Sequence, residues 1–239
     1  MRLSIVIPTL NEEQYLPRLL DSIIHQDFDG YEIIVSDGNS KDMTRAVAER
    51  YGCLVVSDDK RSPAHQRNEG AKRASGEVIL FLDADNILPE MFLKRSFGEF
   101  TRKKLDVAGF YLRFESSKSI YRLFSYAYNA GCFLAQYFFP VSVGVGIMVR
   151  QKKHEEAGGF DESIFIGEDY DYTKRISRAG KYRMISSTYL NFSVRRLEKE
   201  GVAKVLWKWA KGSLYFLLKG PIRKKIVEYE FGEYDEKKK

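Results

Sequence analysis

Five apolar residues, Val78-Ile79-Leu80-Phe81-Leu82, run without a break between Gly76-Glu77 and Asp83-Ala84-Asp85-Asn86. A run that short and that uniformly apolar predicts a strand buried on both faces of a sheet. The rest of the chain must then supply cover for both faces. The run ends in two carboxylates. In an open α/β sheet, the carboxyl edge of a central strand is where ligands bind. Two acids crowded there repel each other unless positive charge lies between them. A divalent cation, Mg²⁺ or Mn²⁺, held by carboxylate oxygens and carrying a phosphate-bearing ligand, meets that need most economically. A solvated turn meets it too, since Asp and Asn are ordinary turn residues. Asp-x-Asp alone does not choose between them.

The sequence before this strand alternates. Leu3 to Ile7 predicts a first buried strand, ended by Pro8-Thr9. Asn11 followed three residues later by Gln14 offers a cap for a helix carrying Tyr15, Leu16, Leu19, Leu20, Ile23 and Ile24, with Pro17 near its start. Tyr31 to Ser36 predicts a second strand, closing on Asp37-Gly38-Asn39-Ser40. Ala46, Val47 and Tyr51 mark a second helix that Gly52 ends, and Leu54 to Ser57 a third strand. Pro63 to Ser75 predicts a helix, polar on one face. Strand and helix alternating three times imply a parallel sheet with right-handed crossovers. The strand ends at Pro8, Asp37 and Asp83 then share one edge.

Beyond Asp85 the spacing predicts a helix from Pro89 to about Lys103, a strand over Val107 to Phe114, a helix from about Ser119 to Phe138 and a strand over Val145 to Arg150. Leu123 to Val149 contains no charged residue, long enough for a membrane span. Asn129, Gln136, Pro140 and several glycines argue against one, and a crossing there would separate Asp85 from the later acids. Core packing is the expected role of the helix, with a lipid-like substrate on its apolar side as the alternative. Gly158-Gly159-Phe160-Asp161 predicts a turn, and Glu168-Asp169 opens a helix through about Ala179. Tyr182 to Ser186 predicts a strand, and Asn191 to Glu200 has no clear period. Val202 to Leu218 is helical by pattern, with Val205, Leu206, Trp209, Phe216 and Leu217 on one side and Lys204, Lys208, Lys211 and Lys219 on another, before Arg223-Lys224-Lys225. That pattern fits a helix in a membrane interface, and equally one packed on the domain with a solvated lysine face.

The 239 residues carry a net charge of +6, which favours an anionic partner. The absence of a basic block before the C-terminal part makes nucleic acid the weakest candidate, behind a phosphorylated substrate or a membrane surface. Cys53 and Cys132 each lie in an apolar run and read as buried free thiols of a reducing compartment. The N-terminal MRLSIVIPT has no signal-peptide cleavage pattern, so the expected location is cytoplasmic.

The order of the motifs carries more than any one of them. Ile7-Pro8-Thr9-Leu10-Asn11-Glu12, Ser36-Asp37-Gly38-Asn39-Ser40, Arg67-Asn68-Glu69-Gly70, Asp83-Ala84-Asp85, Gly158-Gly159-Phe160-Asp161 and Glu168-Asp169 follow one another in an order that resembles glycosyltransferase family 2, over roughly residues 1–200. The resemblance implies an α/β, GT-A-like Rossmann-type sheet in a single domain, with mostly parallel central strands flanked by helices. It implies a nucleotide-sugar-binding half over 1–86, an acceptor-binding half over 87–200, and an amphipathic basic helix and tail over 201–239. The implied activity is metal-dependent, inverting transfer from a nucleotide-diphosphate sugar to a sugar or lipid-linked acceptor. Pro8, Thr9 and Glu12 would line the nucleoside pocket, Asp37 would accept from the base, and Arg67 would lie beside the nucleotide. Asp83 and Asp85, with Ala84 between them, would hold Mn²⁺ or Mg²⁺ at the diphosphate. Asp169 would be the general base, with Glu168 beside it. No His stands late in the chain where some members bind metal, and Arg195 and Arg196 of the Ser193 to Arg196 stretch are read instead as diphosphate ligands.

Two other functions share some of these features. A sugar-phosphate nucleotidyltransferase also uses a parallel sheet and carboxylate-bound metal, but its Gly- and Lys-containing phosphate loop is absent from Pro8 to Glu12. A non-catalytic nucleotide-binding module would not need Asp85, Asp169 and the arginines together. The expected partners are a nucleotide-sugar donor, an acceptor and, through 202–225, the cytoplasmic face of a membrane.

Overall fold

The computed structural model describes residues 2–115, 118–138, 144–194, 201, 207, 215 and 220–223. In chain order the elements are β1 (Leu3–Thr9), α1 (Leu16–Ile24), β2 (Tyr31–Asp37), α2 (Thr44–Arg50), β3 (Leu54–Ser57), α3 (Pro63–Arg73), β4 (Val78–Leu82), α4 (Phe92–Arg102), β5 (Val107–Glu115), α5 (Ser119–Ala135), β6 (Gly146–Arg150), α6 (Gln151–Glu156), α7 (Glu168–Ser177) and β7 (Tyr182–Ser193). One sheet holds all seven strands in the order β3-β2-β1-β4-β6-β5-β7. β6 alone runs antiparallel, against both β4 and β5. The two sequence halves therefore share a sheet, joined where β4 meets β6.

Side-chain alternation along the strands separates two cores. Leu3, Ile5, Ile7, Val78, Leu80 and Leu82 face one way and pack with α1, α2 and α4. Val6, Ile34, Ile79 and Phe81 face the other way, onto α3 and the Phe160 and Tyr172 rings. All five residues of β4 are buried, as a strand covered on both faces requires. Gly70 lets α3 lie close on β1, because a Cβ there would come within 2.4 Å of Val6 Cγ1.

Several details differ from the expectation. Asn11 does not cap α1: Tyr15 is the N-cap, and no side chain caps the helix. Asn11 adopts φ 55° and its side-chain oxygen instead accepts from Lys41 N, tying the loops after β1 and β2 together. α4 begins at Phe92, after a left-handed Met91, rather than at Pro89. The short α6 follows β6 directly. β7 runs on to Ser193, through part of the stretch that lacks a clear period.

β7 contains a break that explains its poor pattern. Phe110 pairs with Ile185 but Tyr111 pairs with Tyr189, so residues 186–188 bulge out of the ladder. Their amides need other acceptors. Glu99 of α4, with its side chain 2 % exposed, supplies them: Ser186 N and Ser187 N donate to its Oε2 at 3.0 and 2.7 Å, while Lys103 Nζ lies 2.5 Å from Oε1. Burial alone would raise this carboxyl, but the hydrogen bonds from Lys103, Ser187 and Ser186 outweigh it and depress the pKa to about 2. A depressed carboxyl contributes stability above its unfolded value that is lost as pH falls through the folded one. Glu99→Gln is therefore expected to destabilise the fold by on the order of 2 kcal/mol near neutral pH. Urea titrations should show the deficit shrinking as pH falls from about 4.5 toward 2. A deficit independent of pH would mean that packing, not charge, holds the bulge.

α5 departs most from its expected role. Only Tyr121 and Ser125 of this helix are buried, and its outer face is not core. No helix among the described residues is long and apolar enough to cross a membrane. The amphipathic pattern over 202–219 lies largely outside the described residues.

Candidate active site

The site lies at the carboxyl edge of β1, β2 and β4. Strand order reverses between β1 and β4, which opens a crevice at that edge. Pro8 and Thr9 end β1 and Asp37 ends β2, paired in register. Asp37 is 0 % exposed. Its Oδ1 accepts from Thr9 Oγ1 at 3.1 Å and Ser40 Oγ at 2.5 Å, and its Oδ2 from Ser40 N at 2.9 Å. These bonds fix the turn after β2. Glu12 N donates to Thr44 Oγ1 at 2.8 Å, and Gln66 Nε2 to Thr9 O at 2.6 Å. The expected nucleoside-pocket residues are thus one interlocked wall, although Asp37 in this state is committed to protein partners.

Arg67 is the hub of the second wall. It is 3 % exposed. Nη2 donates to Asp83 Oδ1 at 2.9 Å and Nη1 to Glu168 Oε1 at 2.8 Å. Its guanidinium also lies 5.4 Å from the centre of the Phe160 ring. Arg67, expected beside the nucleotide, directs both terminal nitrogens at protein carboxylates. Its side chain gathers acids from β4 and α7, 101 residues apart in the case of Glu168.

α7 begins at Glu168 after Gly167, which takes φ 89°. Asp169 Oδ1 accepts from Tyr170 N at 2.9 Å, and Oδ2 from Gly144 N at 2.5 Å. Gly144 escaped the sequence reading. A Cβ there would lie 2.9 Å from Arg67 Nη2 and 3.3 Å from Asp169 Oδ2, so only glycine fits the junction. Its signal, one glycine among several in an uncharged run, had no distinguishing neighbour.

The electrostatics follow from this crowding. Burial pushes the Asp83 carboxyl up to about 6; Arg67 opposes the rise and Asp85 adds to it. Burial, followed by Glu168, raises Asp169 well above the ordinary carboxylate range, against the pull of Arg67. One guanidinium faces Asp83, Glu168 and Asp169, with Asp85 next to Asp83, so the edge carries excess negative charge. That excess suits a divalent cation. No group of three or more His, Cys, Asp or Glu side chains able to hold a metal occurs among the described residues. A Mg²⁺-like ion does not require one, since it is commonly held by one or two carboxylates together with substrate phosphates. Asp83, whose side chain is 35 % exposed, and the half-buried Asp85 fit that division of ligands. Arg195 and Arg196 lie outside the described residues.

A mostly parallel sheet whose carboxyl edge gathers acids in this way fits the GT-A class of glycosyltransferases. Residues 4–157 match the model of Glycosyl transferase family 2, and the chain belongs to that family. Its activity class is therefore glycosyl transfer. The chain is 26 % identical over 256 residues to the dolichyl N-acetyl-alpha-D-glucosaminyl phosphate 3-beta-D-2,3-diacetamido-2,3-dideoxy-beta-D-glucuronosyltransferase of Methanococcus voltae, covering 90 % of this chain and 80 % of that protein. An alignment over 94 residues, which covers 36 % of this chain, is 38 % identical to the GalNAc(5)-diNAcBac-PP-undecaprenol beta-1,3-glucosyltransferase of Campylobacter jejuni and covers 30 % of that protein. Among solved structures, the mannosyltransferase PcManGT of Pyrobaculum calidifontis, in complex with GDP-Man and Mn²⁺, superposes with a TM-score of 0.71 at 22 % identity, over 88 % of this chain and 61 % of that one. TarS of Staphylococcus aureus in complex with UDP-GlcNAc gives 0.68 at 22 % identity, over 82 % and 59 %. At that identity the two structures speak for the fold.

Proposed function

We propose that the chain is an inverting, metal-dependent transferase that moves a sugar from a nucleotide-diphosphate sugar to a lipid-linked acceptor. The observation that carries the reading is the Arg67 cluster, which brings Asp83 and Asp169, on elements far apart in sequence, to one strand edge. Inversion is a single displacement at the anomeric carbon. The acceptor oxygen attacks from the side opposite the diphosphate, so one base is needed and no protein nucleophile. Asp169 would take the acceptor proton, and Arg67 and the Gly144 amide would hold it in place. Asp85 and Asp83 would hold Mn²⁺ or Mg²⁺, which would neutralise charge growing on the departing diphosphate. Arg195 and Arg196 would add donors to the same oxygens. Pro8, Thr9, Glu12 and Asp37 would form the nucleoside wall.

The names of the Methanococcus and Campylobacter relatives, one dolichyl-linked and one undecaprenol-linked, support a lipid-linked acceptor. With such a substrate the enzyme would work at the cytoplasmic membrane face, and the basic 202–225 segment would contribute to holding it there.

Incubation with UDP- and GDP-sugars, scored for nucleoside diphosphate release, tests the reading. Release that depends on a polyprenyl-linked acceptor is expected. Pyrophosphate release from a nucleoside triphosphate would identify a nucleotidyltransferase instead, and binding without turnover a passive module. Asp85→Ala is expected to lower transfer at least about 100-fold, the loss of a main charge-stabilising group. Calorimetry should show nucleoside diphosphate binding that Mn²⁺ strengthens in the parent and not in the variant. Full activity in excess chelator would remove the metal from the mechanism.

A further inference from the structure

We propose that the outer face of α5, with the basic groove at its C-terminal end, docks on an anionic lipid bilayer. The proposal rests on the lipid-linked reading of the acceptor, but its test needs no acceptor. Leu123, Tyr126 and Leu134 on α5 are 63, 73 and 67 % exposed, and Phe138, just past its end, is 81 % exposed. Ile120, Phe133 and Tyr137 are also exposed. They recur at helical spacing, so the apolar residues form a stripe rather than a scatter. Folded monomers seldom leave such a stripe in water without a use for it.

The groove supplies the charge. A cavity of about 370 Å³ opens beside the end of α5, lined by Lys181 and Arg183, by Lys103, which is paired with Glu99, and by Tyr111, Phe133 and Tyr137. The Arg183 guanidinium lies 5.0 Å from the centre of the Tyr137 ring. Phe133 and Tyr137 belong to both the stripe and the groove, so the two are continuous. Aromatic and aliphatic side chains bordered by Lys and Arg match a bilayer interface, with rings at the headgroup level and cations at the phosphates. The charge pattern favours anionic lipid over a protein partner. From Ser116 to His154 the chain has no Asp or Glu, while Lys118 and Arg122 stand at the start of α5.

The surface is also placed where a membrane-bound acceptor would need it. Phe138 stands six residues before Gly144, whose amide donates to Asp169. Six residues reach at most about 20 Å. On the inner side of α5, Tyr128 is within electrostatic range of Tyr170, the residue after Asp169.

Flotation of the full chain with vesicles tests this. One set is phosphatidylcholine, the other equal parts phosphatidylcholine and phosphatidylglycerol. The intact protein is expected to float with the anionic set at low salt and to be released by high salt. Leu123→Ser, Leu134→Ser and Phe138→Ser combined should lower binding more than tenfold with an unchanged Tm, because the three side chains are exposed. Lys181→Ala with Arg183→Ala should lower binding to the anionic set alone, about fivefold per charge. Transfer to a water-soluble acceptor analogue, measured in parallel, reports on the enzymatic reading separately. Failure of the intact protein to float at low salt overturns the proposal, as does flotation of the triple variant at the parent level. A parent dimer that the triple variant converts to monomer would also overturn it, by assigning the face to a second copy of the chain.

Discussion

Asp169→Asn is expected to lower kcat for transfer to a hydroxyl acceptor by about 10²- to 10⁴-fold, the usual contribution of a general base. Donor affinity should stay nearly unchanged, because the loss falls on the chemical step. The carboxylate accepts from Tyr170 N through Oδ1 and from Gly144 N through Oδ2, so the amide, with one oxygen, can keep only one of these two bonds. The variant should also separate catalysis from stability by sign. Burial and Glu168 raise the folded pKa of Asp169. A raised carboxyl contributes stability below its unfolded value of about 3.9 that is lost as pH rises through the folded value. The parent should thus lose stability relative to the Asn variant as pH rises through the folded value, on top of a cost of the variant, constant with pH, from the one hydrogen bond it cannot make. In the parent, kcat/KM should rise tenfold per pH unit along an acid limb displaced upward from the ordinary carboxylate range, and that limb should vanish in the variant. Unchanged turnover by Asp169→Asn would remove it as the base and point to an acceptor already ionised, such as a lipid phosphate.

Arg67→Met should have the largest effect on the fold. It removes the charge that faces Asp83 and Glu168 at 2.9 and 2.8 Å. Taking one partner from a buried ion pair costs about 3–5 kcal/mol, because the remaining charge is left uncompensated. Without Arg67 the carboxyls of Asp83 and Asp169 would shift further upward, so the variant should recover stability as pH falls and they protonate. Urea unfolding at about pH 8 and about pH 5 checks this, with the larger deficit expected at the higher pH. Arg67→Lys should rescue little, since one ammonium cannot reproduce the planar fork that spans two carboxylates. A small deficit that is flat with pH would show that the cluster is held by packing on Phe160 rather than by charge.

The first half of the chain was readable because its signals are local. β1, β2, β3 and β4 are short apolar runs closed by Pro8, Asp37, Ser57 and Asp83, and each was found within a residue or two. The direction of β6 was not readable, because an apolar strand has the same composition either way up. The length of β7 was hidden by the bulge at residues 186–188, which breaks its period and depends on Glu99 from another helix. Asn11 has the right letters for a cap, but its bond goes to Lys41, a partner thirty residues away. The site shows the same limit. Asp83, Asp85, Glu168 and Asp169 stood out as acids at element ends. What Arg67 does, and why residue 144 must be glycine, depends on contacts that arise only once α3, β4, β6 and α7 meet.

The reversed β6 also separates the two walls of the site. Each parallel strand brings its end to the crevice, where its position is fixed by the helix that returns the chain to the next strand. β6 brings its beginning. The wall proposed for the nucleoside is set by interlocked turns after β1 and β2, where one inserted residue would break several bonds at once. On the opposite wall, among the described residues, Gly144 N donates to Asp169, and Asn86 Nδ2 donates to Val145 O. In a transferase of the proposed kind, the donor wall is thereby set by turns that follow parallel strands, and the acceptor wall by the start of the one strand that runs the other way.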